Sequence, residues 1–106
     1  MKKRILVVGA PRARVEALAR GGRWDVHAAA PGPSALCRAH ELRPDLLVAG
    51  EEGLGVARTL GWVDALPSLL LSEVPGPRLE EVPSARLVLE RSCDDETLVR
   101  VVEDLL

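Results

Sequence analysis

The chain alternates between short apolar runs and segments with a helical spacing of apolar residues. The apolar runs predict five β-strands, at residues 4–8, 24–29, 45–49, 67–72 and 86–90. The segments between them predict one helix at residues 12–20 and a short one at residues 54–60. A further helix is predicted to start within residues 31–34 and to stop at Pro44. A last helix follows a cap at Ser92 or Asp94 and runs to Leu106, with apolar residues at i, i+3, i+4 and i+7.

The segment between the fourth and fifth predicted strands, residues 73–83, has a different composition. It contains three prolines and one glycine, which interrupt helices. It predicts at most one helical turn, around Leu79. The helix expected between two neighbouring parallel strands is therefore predicted to be short or missing at this point.

The alternation of strand and helix predicts an α/β fold, a doubly wound five-stranded parallel sheet with helices on both faces. Right-handed crossovers and five such units favour the strand order 2-1-3-4-5. With 106 residues, the chain is expected to be a single domain, residues 1–106. The functional crevice of this fold lies at the carboxyl ends of strands 1 and 3. Its predicted lining is residues 9–11 and 50–52, completed by Ser72 and Arg91.

The composition indicates an aliphatic core and a reducing environment. Hydrophobic residues make up 47% of the chain, yet it has two Trp and no Phe or Tyr. Asn and Gln are also absent, which fits either a GC-rich genome or adaptation to high temperature. Cys37 and Cys93 form no metal-binding motif and are interpreted as reduced thiols of a cytoplasmic protein. No stretch approaches the length of a signal sequence or a membrane span.

Charge is unevenly distributed along the chain. Residues 1–43 contain nine Lys and Arg against three Asp and Glu, whereas residues 44–106 contain five against thirteen. This asymmetry indicates either an interaction surface or two halves that neutralise each other in the fold, and the second interpretation is favoured because surface ion pairs are common. The basic half has no dense cluster and no interleaved aromatic residues, so we expect no nucleic-acid binding.

Four motifs occur in an order and spacing that resemble a known family. They are residues 4–8 (RILVV) as a first strand, 32–36 (GPSAL) as a helix start, 44–48 (PDLLV) as a third strand and 67–72 (PSLLLS) as a fourth strand that ends in Ser. Together they resemble the receiver domain of bacterial response regulators, the CheY-like family, which has a flavodoxin-like fold. The resemblance spans nearly the whole chain.

The resemblance implies a phosphorylation site in the crevice, and this chain departs from it. A working receiver has acidic residues after strand 1 that hold Mg²⁺ and an aspartate after strand 3 that accepts a phosphoryl group. A Ser or Thr after strand 4 and a Lys-Pro pair after strand 5 read the phosphate. The corresponding positions here are Gly9, Ala10, Gly50, Ser72 and Arg91. Because phosphoryl transfer needs a nucleophile and a charge-neutralising metal, we expect a degenerate site with no metal, no cofactor and no catalytic residue.

The sequence leaves two questions about the altered crevice open. Glu51 or Glu52, just after the acceptor position, would either mimic a phosphorylated aspartate permanently or be a solvated turn residue or a partner for Arg91. Arg12, Ser72 and Arg91, together with backbone amides, would either bind an anionic ligand or face side chains and water.

The last helix carries apolar residues beyond its main stripe. Val99, Val102 and Leu106 extend the apolar surface along one side of this helix. We expect either a homodimer seam or partner face at these residues, or a wider contact with the core of a small domain.

These observations lead to one functional expectation and two alternatives. The favoured expectation is a non-catalytic, phosphorylation-independent receiver-like signalling module that acts through another protein. The first alternative is a sensor of a small anionic ligand in the altered crevice. The less favoured alternative is a receiver that is phosphorylated on a displaced carboxylate.

Overall fold

Five parallel strands form one sheet in the computed structural model, which describes residues 2–73, 82 and 84–106. The strand order is β2-β1-β3-β4-β5, which confirms the predicted α/β fold. Each strand begins and ends within one residue of its prediction. The strands are β1 (Arg4–Val8), β2 (Asp25–Ala29), β3 (Leu46–Ala49), β4 (Ser68–Ser72) and β5 (Ala85–Glu90).

The described residues also form four α-helices and one short 3₁₀ turn. The helices are α1 (Arg12–Ala19), α2 (Pro33–Leu42), α3 (Leu54–Asp64) and α4 (Asp95–Leu105), and the 3₁₀ turn is Glu51–Gly53. The prediction of a short or missing helix between β4 and β5 concerns residues 73–83, most of which lie outside the described residues.

The sheet separates two aliphatic cores. Successive strand residues point to opposite faces, so Leu6 and Leu47 pack with α2 and α3 on one side. Ile5 and Val48 pack with α1 and α4 on the other side. All four residues of β3 are buried, as expected for a strand covered on both faces.

Helix α3 is longer than the sequence predicted, and the predicted end at residue 60 is wrong. Gly61 remains helical where α3 passes close to Ser84, since a Cβ at this position would lie 2.7 Å from the Ser84 Cβ. The helix ends at Ala65, which adopts the left-handed conformation at φ 52° and donates its backbone N–H to the Leu60 carbonyl. The close packing against Ser84 therefore accompanies a glycine within the helix, although glycine on its own disfavours helix.

Asp94 caps helix α4. Its carboxylate accepts a hydrogen bond from the Thr97 backbone N–H at 2.7 Å, and this contact satisfies one of the unpaired donors of the first helical turn. Of the two predicted caps, Ser92 and Asp94, the structure uses Asp94.

Of the two interpretations of the apolar residues on α4, a partner face or a wider core contact, the structure supports the core contact for Val102. Val102 is fully buried against the sheet and lies in the core shared with α1. Val99 and Leu106 are half-buried and pack against the same core. The wider apolar stripe of α4 is therefore a core contact in this part of the molecule, because the helix turns this side toward the sheet and α1.

Among the described residues, no helix is both long enough and apolar enough to cross a membrane.

The Asp94 cap is expected to make stability depend on pH in the acid range. Hydrogen bonds from Thr97 hold the pKa of the Asp94 carboxyl below its ordinary value of 3.8. The stabilisation is therefore present above that value and is lost as the pH falls through the folded-state pKa. Asp94→Asn keeps an oxygen acceptor at the cap but does not titrate.

Urea unfolding of both proteins should show the wild type losing stability relative to Asp94→Asn only below about pH 4. A difference between the two proteins that stays constant from about pH 2 to about pH 6 would contradict this assignment.

Candidate functional site

The sheet register brings the loops after β1, β3, β4 and β5 to one edge. Val8 pairs with Ala49, so the chain leaves β1 and β3 at neighbouring points, and Ser72 pairs with Glu90. An open cleft of about 740 Å³ lies at this carboxyl edge. Its lining includes the predicted crevice residues Gly9, Ala10, Pro11, Gly50, Glu51, Glu52 and Arg91.

Three glycines let the loop after β1 and the loop after β3 touch through their backbones. A Cβ at Gly50 would lie 2.9 Å from the Gly9 carbonyl carbon and closer still to its oxygen. Gly9 has φ +72°, and a Cβ there would lie 2.6 Å from the Gly53 nitrogen. A Cβ at Gly53 would lie 2.5 Å from the Val8 carbonyl oxygen. Backbone therefore occupies the space that a longer side chain at Gly50 would need.

Glu51 turns its carboxylate across the edge of the sheet toward the end of β4. Its Oε1 accepts a hydrogen bond of 2.5 Å from the Ser72 Oγ and one of 3.1 Å from the Glu73 backbone N–H. Ser72 is fully buried, and a buried hydroxyl needs a partner to avoid a desolvation cost. The carboxylate of Glu51 satisfies it, so Glu51 is not merely a solvated turn residue.

Arg91 pairs with Glu73 and not with Glu51 or Glu52, the partners that the sequence suggested. Its guanidinium forms an ion pair with Glu73, and both side chains are mostly exposed. Its backbone N–H donates to the Ser72 carbonyl at 2.8 Å. Glu51 and Arg91 thus bind neighbouring residues, Ser72 and Glu73, and hold the end of β4 from two sides.

Arg14 fixes the loop between β5 and α4. Its side chain is only 13% exposed and pairs with Asp95 at 2.9 Å. The same guanidinium donates to the carbonyl of Arg91 at 2.9 Å and to the carbonyl of Cys93. One side chain from α1 therefore satisfies acceptors on two residues of this loop and on Asp95, the first residue of α4, an arrangement that suits the planar, five-donor guanidinium.

Arg12 lies away from the cleft. Its side chain is 90% exposed and pairs with Glu16 one helical turn later, and it is absent from the cleft lining. Of the three predicted anion-binding residues, Ser72 and Arg91 lie at the carboxyl edge, but only Arg91 lines the cleft, because Ser72 is fully buried at the end of β4. Each of those two contacts a carboxylate, that of Glu51 or Glu73.

Cys93 lies half-buried beside this loop. Burial raises the pKa of the Cys93 thiol, and the nearby Arg14 opposes that shift. The thiol is therefore mainly protonated near neutral pH. Cys37 is exposed on α2, and both cysteines are free.

The sequence contained a signal for Arg14 that was not used. Arg14 precedes Ala17 by three positions and Leu18 by four, and both of these residues are buried. An arginine at that spacing lies on the inner side of the helix, whereas Arg12 points outward. The positions of Gly53 and Glu73 gave no comparable signal, because their partners are distant in the chain.

Within residues 2–73, 82 and 84–106, no group of three or more His, Cys, Asp or Glu side chains is arranged to hold a metal ion.

Known structures share this fold, although the sequence matches no protein-family model and no curated protein. CheY4, the chemotaxis response regulator of Vibrio cholerae, superposes with a TM-score of 0.82 at 19% identity, covering 100% of both chains. A signal receiver domain from Bermanella marisrubri superposes with a TM-score of 0.79 at 24% identity, covering 99% of this chain and 98% of that one. HP1043, an orphan response regulator of H. pylori, superposes with a TM-score of 0.81 at 12% identity, covering 98% of this chain and 96% of that one.

The chain has the fold of a response regulator receiver domain. The receiver fold agrees with the motifs at residues 4–8, 32–36, 44–48 and 67–72. At these levels of identity the similarity concerns the fold, so the chemistry of the cleft must be argued from the chain's own residues.

Arg14 and Arg12 form a matched pair for testing the contacts of the β5–α4 loop. Arg14→Ala should lower the free energy of unfolding by about 2 kcal/mol, because it leaves the carbonyls of Arg91 and Cys93 without their donor. Arg12→Ala should change it by less than about 0.5 kcal/mol, since its ion pair is exposed. Urea unfolding measures both values, and equal effects of the two substitutions would contradict the assigned contacts.

Gly50 and Gly55 form a second matched pair. Gly50→Ala should destabilise the fold by about 2 kcal/mol, because its Cβ meets the Gly9 backbone, which cannot rotate away. Gly55→Ala, where nothing lies within 4 Å of the Cβ position, should stabilise α3 by about 0.5 kcal/mol. Thermal and urea unfolding should rank the variants in that order, and a neutral Gly50→Ala would show that the two loops are not in contact.

Proposed function

We propose that this chain is a receiver-like regulatory module that works without phosphorylation and acts by presenting one fixed surface to another protein. The observation that carries the proposal is the hydrogen bond from the buried Ser72 hydroxyl to the carboxylate of Glu51. The receiver fold supports a role for this module in two-component signalling.

The acceptor position supports this proposal through its chemistry and its packing. Gly50 has no nucleophile, and a side chain there would collide with the Gly9 backbone. Gly9 and Ala10 have no carboxylate at the positions where the resembled family holds Mg²⁺. A phosphoryl transfer step at Gly50 would therefore have neither its nucleophile nor its charge-neutralising groups.

Glu51 supplies a permanent acceptor to Ser72, which stands where the resembled family has a Ser or Thr that reads phosphate. A phosphoryl group and a carboxylate both offer anionic oxygens to hydroxyl and amide donors. The Glu51 Oε1 receives the Ser72 hydroxyl and the Glu73 amide together. Since a carboxylate that is part of a side chain cannot be removed by hydrolysis, these two donors keep this acceptor at all times, which favours one state for this part of the fold.

The neighbouring loop supports the same single state. Arg14 binds Asp95 and the carbonyls of Arg91 and Cys93, and Arg91 pairs with Glu73. Contacts within the chain therefore hold the ends of β4 and β5 together. An output surface on this fold would be presented continuously, and regulation would come from the amount of the protein or of its partner.

The alternative of an anionic-ligand sensor has no specific observation in its favour. Arg12 lies outside the cleft lining, Arg91 pairs with Glu73, and Ser72 donates to Glu51. The other lining residues of the cleft include small apolar side chains such as Ala10 and Ala29, which offer no donor to an anion. An anion would have to displace carboxylates that already hold these donors.

A combined phosphorylation and exchange experiment tests the proposal. The wild type is incubated with acetyl phosphate and Mg²⁺, and its intact mass should show no added phosphoryl group. In hydrogen exchange by NMR, the Glu73 amide should be protected in the wild type. Glu51→Ala should remove that protection and lower the free energy of unfolding by about 1–2 kcal/mol.

Glu52→Ala is the matched control, because Glu52 is the next residue but is exposed and lies outside the Ser72 contact. It should leave the Glu73 amide protected. A phosphoryl group added to the wild type at Glu51, Glu52 or any other carboxylate would overturn the proposal. Equal exchange of the Glu73 amide in the wild type and in Glu51→Ala would also overturn it.

A further inference from the structure

The last turn of α3 exposes two large apolar side chains next to each other. Trp62 is 77% exposed and Val63 is 74% exposed. Trp62 is one of only two aromatic residues in the chain, and an exposed tryptophan beside a second apolar residue is typical of an interaction surface. Neither residue belongs to the cleft at the carboxyl edge.

A groove lies about two turns earlier along the same helix. It has a volume of about 450 Å³ and lies between the start of α2 and the start of α3. Pro31, Pro33 and Leu36 line one side and Gly55 lies on the other. Nothing lies within 4 Å of the Cβ position of Gly55, so the groove is open above this residue and exceeds the volume of one indole side chain.

We propose that α3 forms a two-fold symmetric interface with a second copy of this chain, in which Trp62 of each copy enters the Gly55 groove of the other. Trp62 and Gly55 are seven residues apart, which is about 10 Å along a helix. Two antiparallel copies of α3 that cross near residues 58 and 59 place each Trp62 opposite the other copy's Gly55. Both halves of the contact then lie on one surface, as an isologous dimer requires.

The charges around the two features are complementary. Arg86 and Trp62 line the same depression between α3 and the start of β5, whereas Glu52 lines the groove beside Gly55. Both charged side chains are exposed and form no ion pair with another described residue. In the antiparallel arrangement, Arg86 of one copy approaches Glu52 of the other at both ends of the interface. This complementarity favours a second copy as the occupant.

The dimer does not depend on the Glu51 contact with Ser72. It uses the outer face of α3, on the opposite side of the sheet from α4. A failure of the phosphorylation test would leave this interface unaffected, and a monomeric protein would leave the proposed regulatory function unaffected.

Sedimentation and fluorescence together test the interface. Analytical ultracentrifugation of the wild type, from micromolar to millimolar concentration, should show a monomer–dimer equilibrium. Trp24→Phe leaves Trp62 as the only tryptophan, and its emission should shift to shorter wavelength over the same concentration range as the ring leaves water. Removing a buried tryptophan anchor with Trp62→Ser should weaken the dimer by about 30-fold or more.

Two further variants separate the interface from folding. Gly55→Leu has space in the monomer but fills the groove, so it should give a folded monomer with an unchanged circular dichroism spectrum. Glu52→Arg and Arg86→Glu should each weaken the dimer, and the double variant should recover most of the lost affinity, because it restores opposite charges at both ends. A wild type that stays monomeric to millimolar concentration would overturn the proposal, and so would a dimer that Gly55→Leu and Trp62→Ser leave intact.

Discussion

Direct backbone contact between the loops after β1 and β3 is the constraint on which the carboxyl edge depends. Gly9, Gly50 and Gly53 have no Cβ, and each would collide with backbone of the facing loop if it had one. This contact leaves no room for a side chain at Gly50. It also fixes where the 3₁₀ turn starts, so the next residue, Glu51, directs its carboxylate across the edge of the sheet to Ser72 at the end of β4.

The carboxyl edge is then held by side chains of the chain itself. Glu51 binds the Ser72 hydroxyl and the Glu73 amide, while Arg14 binds the β5–α4 loop through its carbonyls. Hydrogen bonds to ionised groups are stronger than those between neutral groups, and here they join loops that are far apart in the chain. The chain has the receiver fold, and contacts within the chain hold its carboxyl edge. Under the proposed function, the regulatory role lies in surfaces away from this edge, such as the outer face of α3.

The strand order, the strand boundaries and the Asp94 cap were predictable because each has a local cause. Apolar runs, helical spacing and a capping carboxylate act over a few residues. The length of α3 was predicted wrongly, and the sequence left open whether Val102 faces a partner or the core, because both depend on what lies opposite. Gly61 stays helical under Ser84, and α4 turns Val102 toward the sheet. The contact between Glu51 and Ser72 joins residues separated by 21 positions, beyond the reach of any local pattern.

By itself, the sequence determined that position 50 offers no nucleophilic side chain, because Gly50 carries none in any conformation. It also determined the doubly wound sheet, because alternating strands and helices of this length have few other ways to bury their apolar faces. Only the tertiary structure decided that Glu51 rather than Glu52 reaches Ser72 and that Arg14 rather than Arg12 reaches the cleft. Neighbouring side chains on a turn or a helix point in different directions, and only the packed loops show which direction meets a partner.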